Sequence, residues 1–89
     1  MPSIKIPTPL RPYTGGLAQV NVEGGTVAGA LDNLVSQYPD LRDQLFNAGK
    51  LRHFVNVYLG EDDVRFLDGL ETEIEDDDNL RIIPTIAGG

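Results

Sequence analysis

Apolar and polar residues alternate near both ends of the chain, and between them the apolar positions fall at helical spacing. Ser3-Ile4-Lys5-Ile6 puts Ile4 and Ile6 on one face and predicts a strand. Pro7, Pro9 and Pro12 then exclude helix and remove ladder donors, so this strand should fray or bulge beyond Ile6. Thr14-Gly15-Gly16 is a turn signal, and Leu17-Ala18-Gln19-Val20-Asn21-Val22 predicts a second strand that pairs with the first as a hairpin. Gly24-Gly25 closes that strand, and Thr26 stands where a helix N-cap is wanted. Val27, Leu31, Leu34, Val35 and Tyr38 share one helical face, which Pro39 ends. Leu41, Leu45 and Phe46 fit a further short turn of helix closed by Gly49. Phe54-Val55-Asn56-Val57-Tyr58-Leu59, rich in aromatic and β-branched residues, predicts another strand. Gly60 turns the chain into a short strand at Val64-Arg65-Phe66. Asp76-Asp77-Asp78-Asn79 is a turn, and Leu80-Arg81-Ile82-Ile83 is the last strand, stopping near Pro84.

A hairpin, one helix and then further strands predict an α+β domain, a mixed sheet packed on one main helix. Leu, Ile, Val and Phe make up 27 of the 89 residues, enough for one modest core. The domain is expected over residues 1–84, with 85–89 as a flexible C-terminal tail too Gly-rich to form another element. There is no internal repeat and no low-complexity segment.

Composition narrows the chemistry. The absence of cysteine removes disulfides, thiolate metal sites and cysteine nucleophiles. No apolar run approaches the roughly 20 residues of a membrane span, and Met1-Pro2-Ser3-Ile4-Lys5 does not resemble a secretory leader, so the expectation is a soluble cytoplasmic protein. A net charge of −7 argues against nucleic acid as a partner. The charge is uneven: Glu61 to Asp78 holds ten acids and one base, Arg65. Such a run reads as a solvated face or, more sharply, as a handle for a basic partner surface, with Asp76 and Asp78 as contact acids.

Catalytic constellations are missing. His53 is the sole histidine, so no triad and no histidine metal cluster can form within the chain, and a lone ring at a strand start reads as packing or solvated. The acids do not fit a calcium loop, and neither Gly15-Gly16 nor Gly24-Gly25 has the spacing of a phosphate loop. Gly88-Gly89 differs by its place at the end of the chain. It makes the terminal carboxylate of Gly89 a candidate reactive group. A carboxylate is a poor electrophile, so a partner would have to activate it, most simply as an acyl-adenylate made from ATP. Gly88, lacking a side chain, and Ala87 before it would let the end enter a narrow channel. From Thr85 to Gly89 the reach is roughly 17 Å.

Together with the element order, the terminal pair resembles the MoaD/ThiS group of ubiquitin-like β-grasp sulfur carriers, and within it the CysO-type carriers of cysteine biosynthesis. The resemblance rests on Ile6-Pro7-Thr8, Leu10-Arg11-Pro12-Tyr13-Thr14-Gly15-Gly16, Lys50-Leu51-Arg52-His53-Phe54-Val55-Asn56-Val57-Tyr58, Asp63-Val64-Arg65, Gly69-Leu70 and the closing Ile83-Pro84-Thr85-Ile86-Ala87-Gly88-Gly89. It implies a β-grasp fold with the last strand parallel to the first. It also implies a monomeric carrier that is not itself an enzyme and binds no cofactor or metal. An E1-like enzyme would adenylate Gly89 and a sulfur donor would convert it to a thiocarboxylate. A pyridoxal-phosphate-dependent cysteine synthase would accept the sulfur, and a JAMM-type zinc peptidase would release cysteine and restore the Gly-Gly end. Delivery to molybdopterin, thiamin or tRNA thiolation, or conjugation to lysines as a protein modifier, are the alternatives the group offers. Asp77 stands where the group usually has glycine in the turn before the last strand, which implies an aspartate at positive φ.

Overall fold

A computed structural model of the chain describes residues 1–84, and the expected tail at 85–89 lies outside them. The alternation at the N-terminus becomes strand β1 (Ser3–Lys5), paired antiparallel with β2 (Gln19–Asn21) so that Ile4 faces Val20. The hairpin is longer than a glycine turn. Thr8–Thr14, expected to be free of helix, forms a 3-10 helix with Pro9 near its start and Pro12 inside it. Prolines are tolerated there because only a few i→i+3 bonds are made, such as Leu10 N–H to the Pro7 carbonyl at 2.9 Å. Thr14, buried, fastens the end: its hydroxyl lies 3.1 Å from the Arg11 carbonyl and 2.9 Å from that of Leu17.

Helix α1 (Val27–Gln37) begins as its sequence requires, with the Thr26 hydroxyl accepting from the Gly29 N–H at 3.1 Å. Such a cap contributes about 1 kcal/mol. Its apolar face, Val27, Ala30, Leu31, Leu34 and Val35, is buried against the sheet. Pro39 ends it through a 3-10 turn into the four-residue α2 (Arg42–Leu45). Phe46, expected at the end of that short helix, instead opens a small hairpin of β3 (Phe46–Asn47) and β4 (Lys50–Leu51). Ala48 and Gly49 at its tip both have positive φ, 54° and 79°, which fixes the reversal and draws Phe46 into extended backbone.

The principal sheet has the order β2-β1-β7-β5-β6. Strand β7 (Asn79–Pro84) is central, parallel to β1 and antiparallel to β5 (Val55–Leu59). This is the mixed, helix-covered sheet of an α+β β-grasp fold. Ile4, Ile6, Val20, Val55, Val57, Leu80 and Ile82 supply the core from the sheet side. The short strand expected at Val64–Phe66 lies earlier, as β6 (Asp62–Asp63), because Gly60, at φ 63°, reverses the chain tightly after Leu59. Val64–Phe66 becomes a 3-10 turn whose start is capped by the Asp63 carboxylate, which accepts from the Arg65 N–H at 2.9 Å. Among the described residues Ala48 is the one non-glycine at positive φ, so Asp77 is not in that conformation. Glu75–Asp78 closes without it: the Asp78 carboxylate accepts from the Glu75 N–H at 2.7 Å, and the Asp78 N–H donates to the Glu75 carbonyl at 3.1 Å.

Candidate functional site

The residues that sequence reasoning placed at the reactive end, Ala87, Gly88 and Gly89, lie outside the described residues. The structure describes the root from which they continue. Strand β7 ends at Pro84, opposite Val55, the first residue of β5. Proline has no N–H to donate to the ladder. The strand is paired on both sides only as far as Arg81, where β1 ends; from Ile82 to Pro84 it is paired with β5 alone. The root of the tail is therefore held by β5.

Asp76 and Asp78 lie at the other end. They precede Asn79, and the six residues of β7 put about 17 Å between its first and last positions. The structure does not bring them together with the root. Asp78 is partly engaged in closing its own turn, while Asp76 is exposed. Much of the acidic run has local work of this kind. The Asp63 carboxylate caps one turn and that of Asp78 another. Asp68 and Glu73 are engaged through their main chains only, the Asp68 N–H donating to the Thr72 hydroxyl at 3.1 Å and Glu73 forming a backbone bridge with Thr26.

The surface around the root is built from different residues. Just before β5, His53 is exposed and its ring sits 5.6 Å from that of Phe54. The Arg65 guanidinium donates to the carbonyls of His53 and Val55 at 2.8 and 3.0 Å, reaching back from the 3-10 turn to the strand start that pairs with Pro84. Arg52 donates through Nε to the Asp43 carbonyl at 2.9 Å and lies over the Phe54 ring. A groove of about 340 Å³ runs beside them, lined by Asn47, Lys50, Leu51, Arg52, His53 and Phe54. Phe66, next to Arg65, is 87% exposed. On the uncovered face of the sheet, register aligns Lys5, Arg81, Tyr58 and Asp63 in a row, with the Arg81 guanidinium 5.7 Å from the Tyr58 ring centre and Ile83 exposed one pair closer to the root.

Sequence reasoning quoted Lys50 to Tyr58 and Asp63 to Arg65 as matching stretches but gave these side chains no role. Their common location depends on the pairing of Val55 with Pro84, a contact 29 positions apart that no local pattern encodes. Among the described residues no group of three or more His, Cys, Asp or Glu side chains could hold a metal ion, and no helix is long and apolar enough to cross a membrane.

Comparison with known proteins adds a family to this geometry. Residues 4–89 match the model of the ThiS family. The sulfur carrier protein CysO of Mycobacterium tuberculosis is 41% identical over 90 aligned positions, covering 98% of this chain and 97% of that protein. Among solved structures, the crystal structure of the Amycolatopsis orientalis BexX/CysO complex contains a chain that superposes with a TM-score of 0.91 at 42% identity, with both chains covered completely. The solution structure of small archaeal modifier protein 1 from Methanosarcina acetivorans superposes at 0.88 with 28% identity, covering 99% of this chain and 95% of that one.

Proposed function

The chain belongs to the ThiS family, and from that premise we propose that it is a sulfur carrier whose reactive group is the C-terminal carboxylate of Gly89. In this reading an E1-like enzyme binds the domain and ATP. The Gly89 carboxylate attacks the α-phosphorus and pyrophosphate leaves. A sulfide equivalent then displaces AMP from the acyl-adenylate, leaving a thiocarboxylate. In a pyridoxal-phosphate-dependent cysteine synthase that sulfur would add to the three-carbon acceptor the enzyme supplies. The resulting thioester would shift to an amide between the Gly89 carbonyl and the cysteine nitrogen. A JAMM-type zinc peptidase would hydrolyse that amide, releasing cysteine and restoring the Gly-Gly end. ATP, pyridoxal phosphate and zinc belong to the partners. The chain's own part is to present the end: β7 holds the root, Pro84 offers no N–H to the ladder, and Ala87 and Gly88 add little bulk beside the reacting carbonyl.

The observation that carries this proposal is the match through Gly89 to the sulfur-carrier family, combined with 41% identity to a named sulfur carrier along almost the whole length of both proteins. The protein is expected to be cytoplasmic, where ATP and the activating enzyme are available. The test is intact-mass spectrometry after incubation with ATP, the adenylating enzyme and a sulfide source. The wild type should gain the mass of one oxygen exchanged for one sulfur, localised to the C-terminal peptide, and a chain ending at Ala87 should not. If the truncated chain gains the same mass, or the full chain gains none, the proposal fails.

The likeness to a small archaeal modifier favours a second reading, in which Gly89 is joined to lysines of other proteins. A blot of cell extract separates the two: a ladder of high-mass conjugates supports the modifier, a single free band the carrier.

A further inference from the structure

Several of the seven bases of this chain lie apart from its longest acidic run. The acids of Glu75 to Asp78 gather where β7 begins, while Lys50, Arg52 and Arg65 gather where it ends. Arg11 joins them on the other flank, donating through Nε to the carbonyl of Ile6, the residue after β1, at 3.0 Å. A strongly acidic chain has carboxylates to spare, yet among the described residues none of these cations is paired with one. The three arginines are held by backbone carbonyls, and Arg52 meets Asp43 through its main chain only. A carbonyl fixes a guanidinium in place without neutralising it. Phe66 stands exposed beside Arg65, and arginine with a large aromatic is the pairing enriched at protein interfaces.

From this arrangement we propose that Arg11, Lys50, Arg52 and Arg65, with Phe66, form a cationic collar around the root of the tail, which docks on an acidic rim around the channel of the adenylating partner. The proposal rests on the carrier reading, and chain length drives it. Five residues follow Pro84, and fully extended they span roughly 17 Å. A partner that holds the Gly89 carboxylate inside itself must therefore press the mouth of its channel against the surface around Pro84. What it meets there is positive and unpaired. The far pole is negative, so an acidic rim would attract the correct end of the molecule and repel the wrong one. Steering of this kind raises association rates and fixes orientation. The acidic run then keeps the domain soluble and correctly oriented, and does not itself touch this partner.

The experiment measures association of the full chain with the purified adenylating enzyme by stopped flow at low and high salt. Lys50→Glu and His53→Glu change exposed groove residues for which the structure shows no side-chain hydrogen bond, and should leave the melting temperature unchanged. The double variant should associate about tenfold more slowly at low salt and approach the wild type at high salt. Asp76→Lys with Asp77→Lys, at the opposite pole, should associate as fast as wild type or faster. Equal rates for wild type and collar variant, or slowing by the far-pole variant alone, overturn the collar. Wild-type binding with the oxygen-for-sulfur mass gain, but no collar effect, removes this inference and leaves the carrier reading standing. Failure of the wild type to gain that mass removes both.

Discussion

Replacing Gly24 with alanine should cost far more stability than the same change at its neighbour Gly25. The pair reads from sequence as an ordinary turn, but the structure separates the two residues. Gly24 has φ +156° and lies against the start of α1, where an added Cβ would fall 2.6 Å from the Ala30 nitrogen and 2.7 Å from the Gly29 carbonyl carbon. Both are backbone atoms inside a capped helix, so no side chain can swing aside. Relief requires α1 to lift from the loop, dragging Val27, Ala30 and Leu31 out of register with the sheet. Overpacking of this kind costs about 1–3 kcal/mol. The unfavourable backbone adds about 1 kcal/mol. The expected loss is thus about 2–4 kcal/mol, a fall in melting temperature on the order of 10–25 °C for a domain of this size. Gly25 has no atom within 4 Å of its virtual Cβ and no positive φ, so Gly25→Ala should fall within about 0.5 kcal/mol of wild type. Urea and thermal unfolding followed by far-ultraviolet circular dichroism would measure both. Similar losses at the two positions would refute the close-approach account.

Two smaller changes test the turns. Ala48→Asn should raise stability by up to about 1 kcal/mol, because Asn-Gly suits the two positive φ values at the β3–β4 tip better than Ala-Gly, and a lower melting temperature would show that Ala48 is not strained. Asp77→Gly should lower stability by about 0.4–1 kcal/mol, because Asp77 is not at positive φ and glycine only adds freedom to the unfolded chain; a clear gain in urea titration would contradict this.

The elements that carry the core were legible because their signals are local and periodic. The face of α1, its Thr26 cap and the strands from Ser3, Gln19, Val55 and Asn79 follow from spacing and capping, while the parallel pairing of β7 with β1 comes from the family resemblance. The failures share one cause, tertiary closure of short segments. Prolines at 9 and 12 argue correctly against α-helix, yet a 3-10 helix satisfies Thr8–Thr14 because Leu10 and Thr14 are buried when the loop folds onto the domain. Phe46 has helical spacing with Leu41 and packs against the core from β3 instead, since the tip at Ala48-Gly49 decides its backbone. The proposed reactive end rests on composition at a place, Gly-Gly after Pro84, which lies outside the described residues. The collar was not, because Arg11, Arg52 and Arg65 meet only through strand register and side chains that reach to distant carbonyls.

The position of β7 lets stability and recognition be separated by experiment. A strand bonded on both flanks opens only when two ladders break together, which holds for β7 up to Arg81, while its last three residues are held by β5 alone. Gly24 lies against the start of α1, away from the root, and its substitution changes how much protein is folded rather than how the tail is presented. A domain of ordinary stability, about 5–15 kcal/mol, that loses 3 kcal/mol remains overwhelmingly native at 25 °C. Gly24→Ala should therefore be charged with sulfur at nearly the wild-type rate there, and lose charging only near its own lowered melting temperature. A collar variant should behave in the opposite way, melting as wild type while its charging slows at low salt and subsaturating partner. A Gly24→Ala protein that is folded yet charges poorly would mean that the packing of α1 reaches the root through the sheet, which the pairing of β7 with β5 as far as Pro84 argues against.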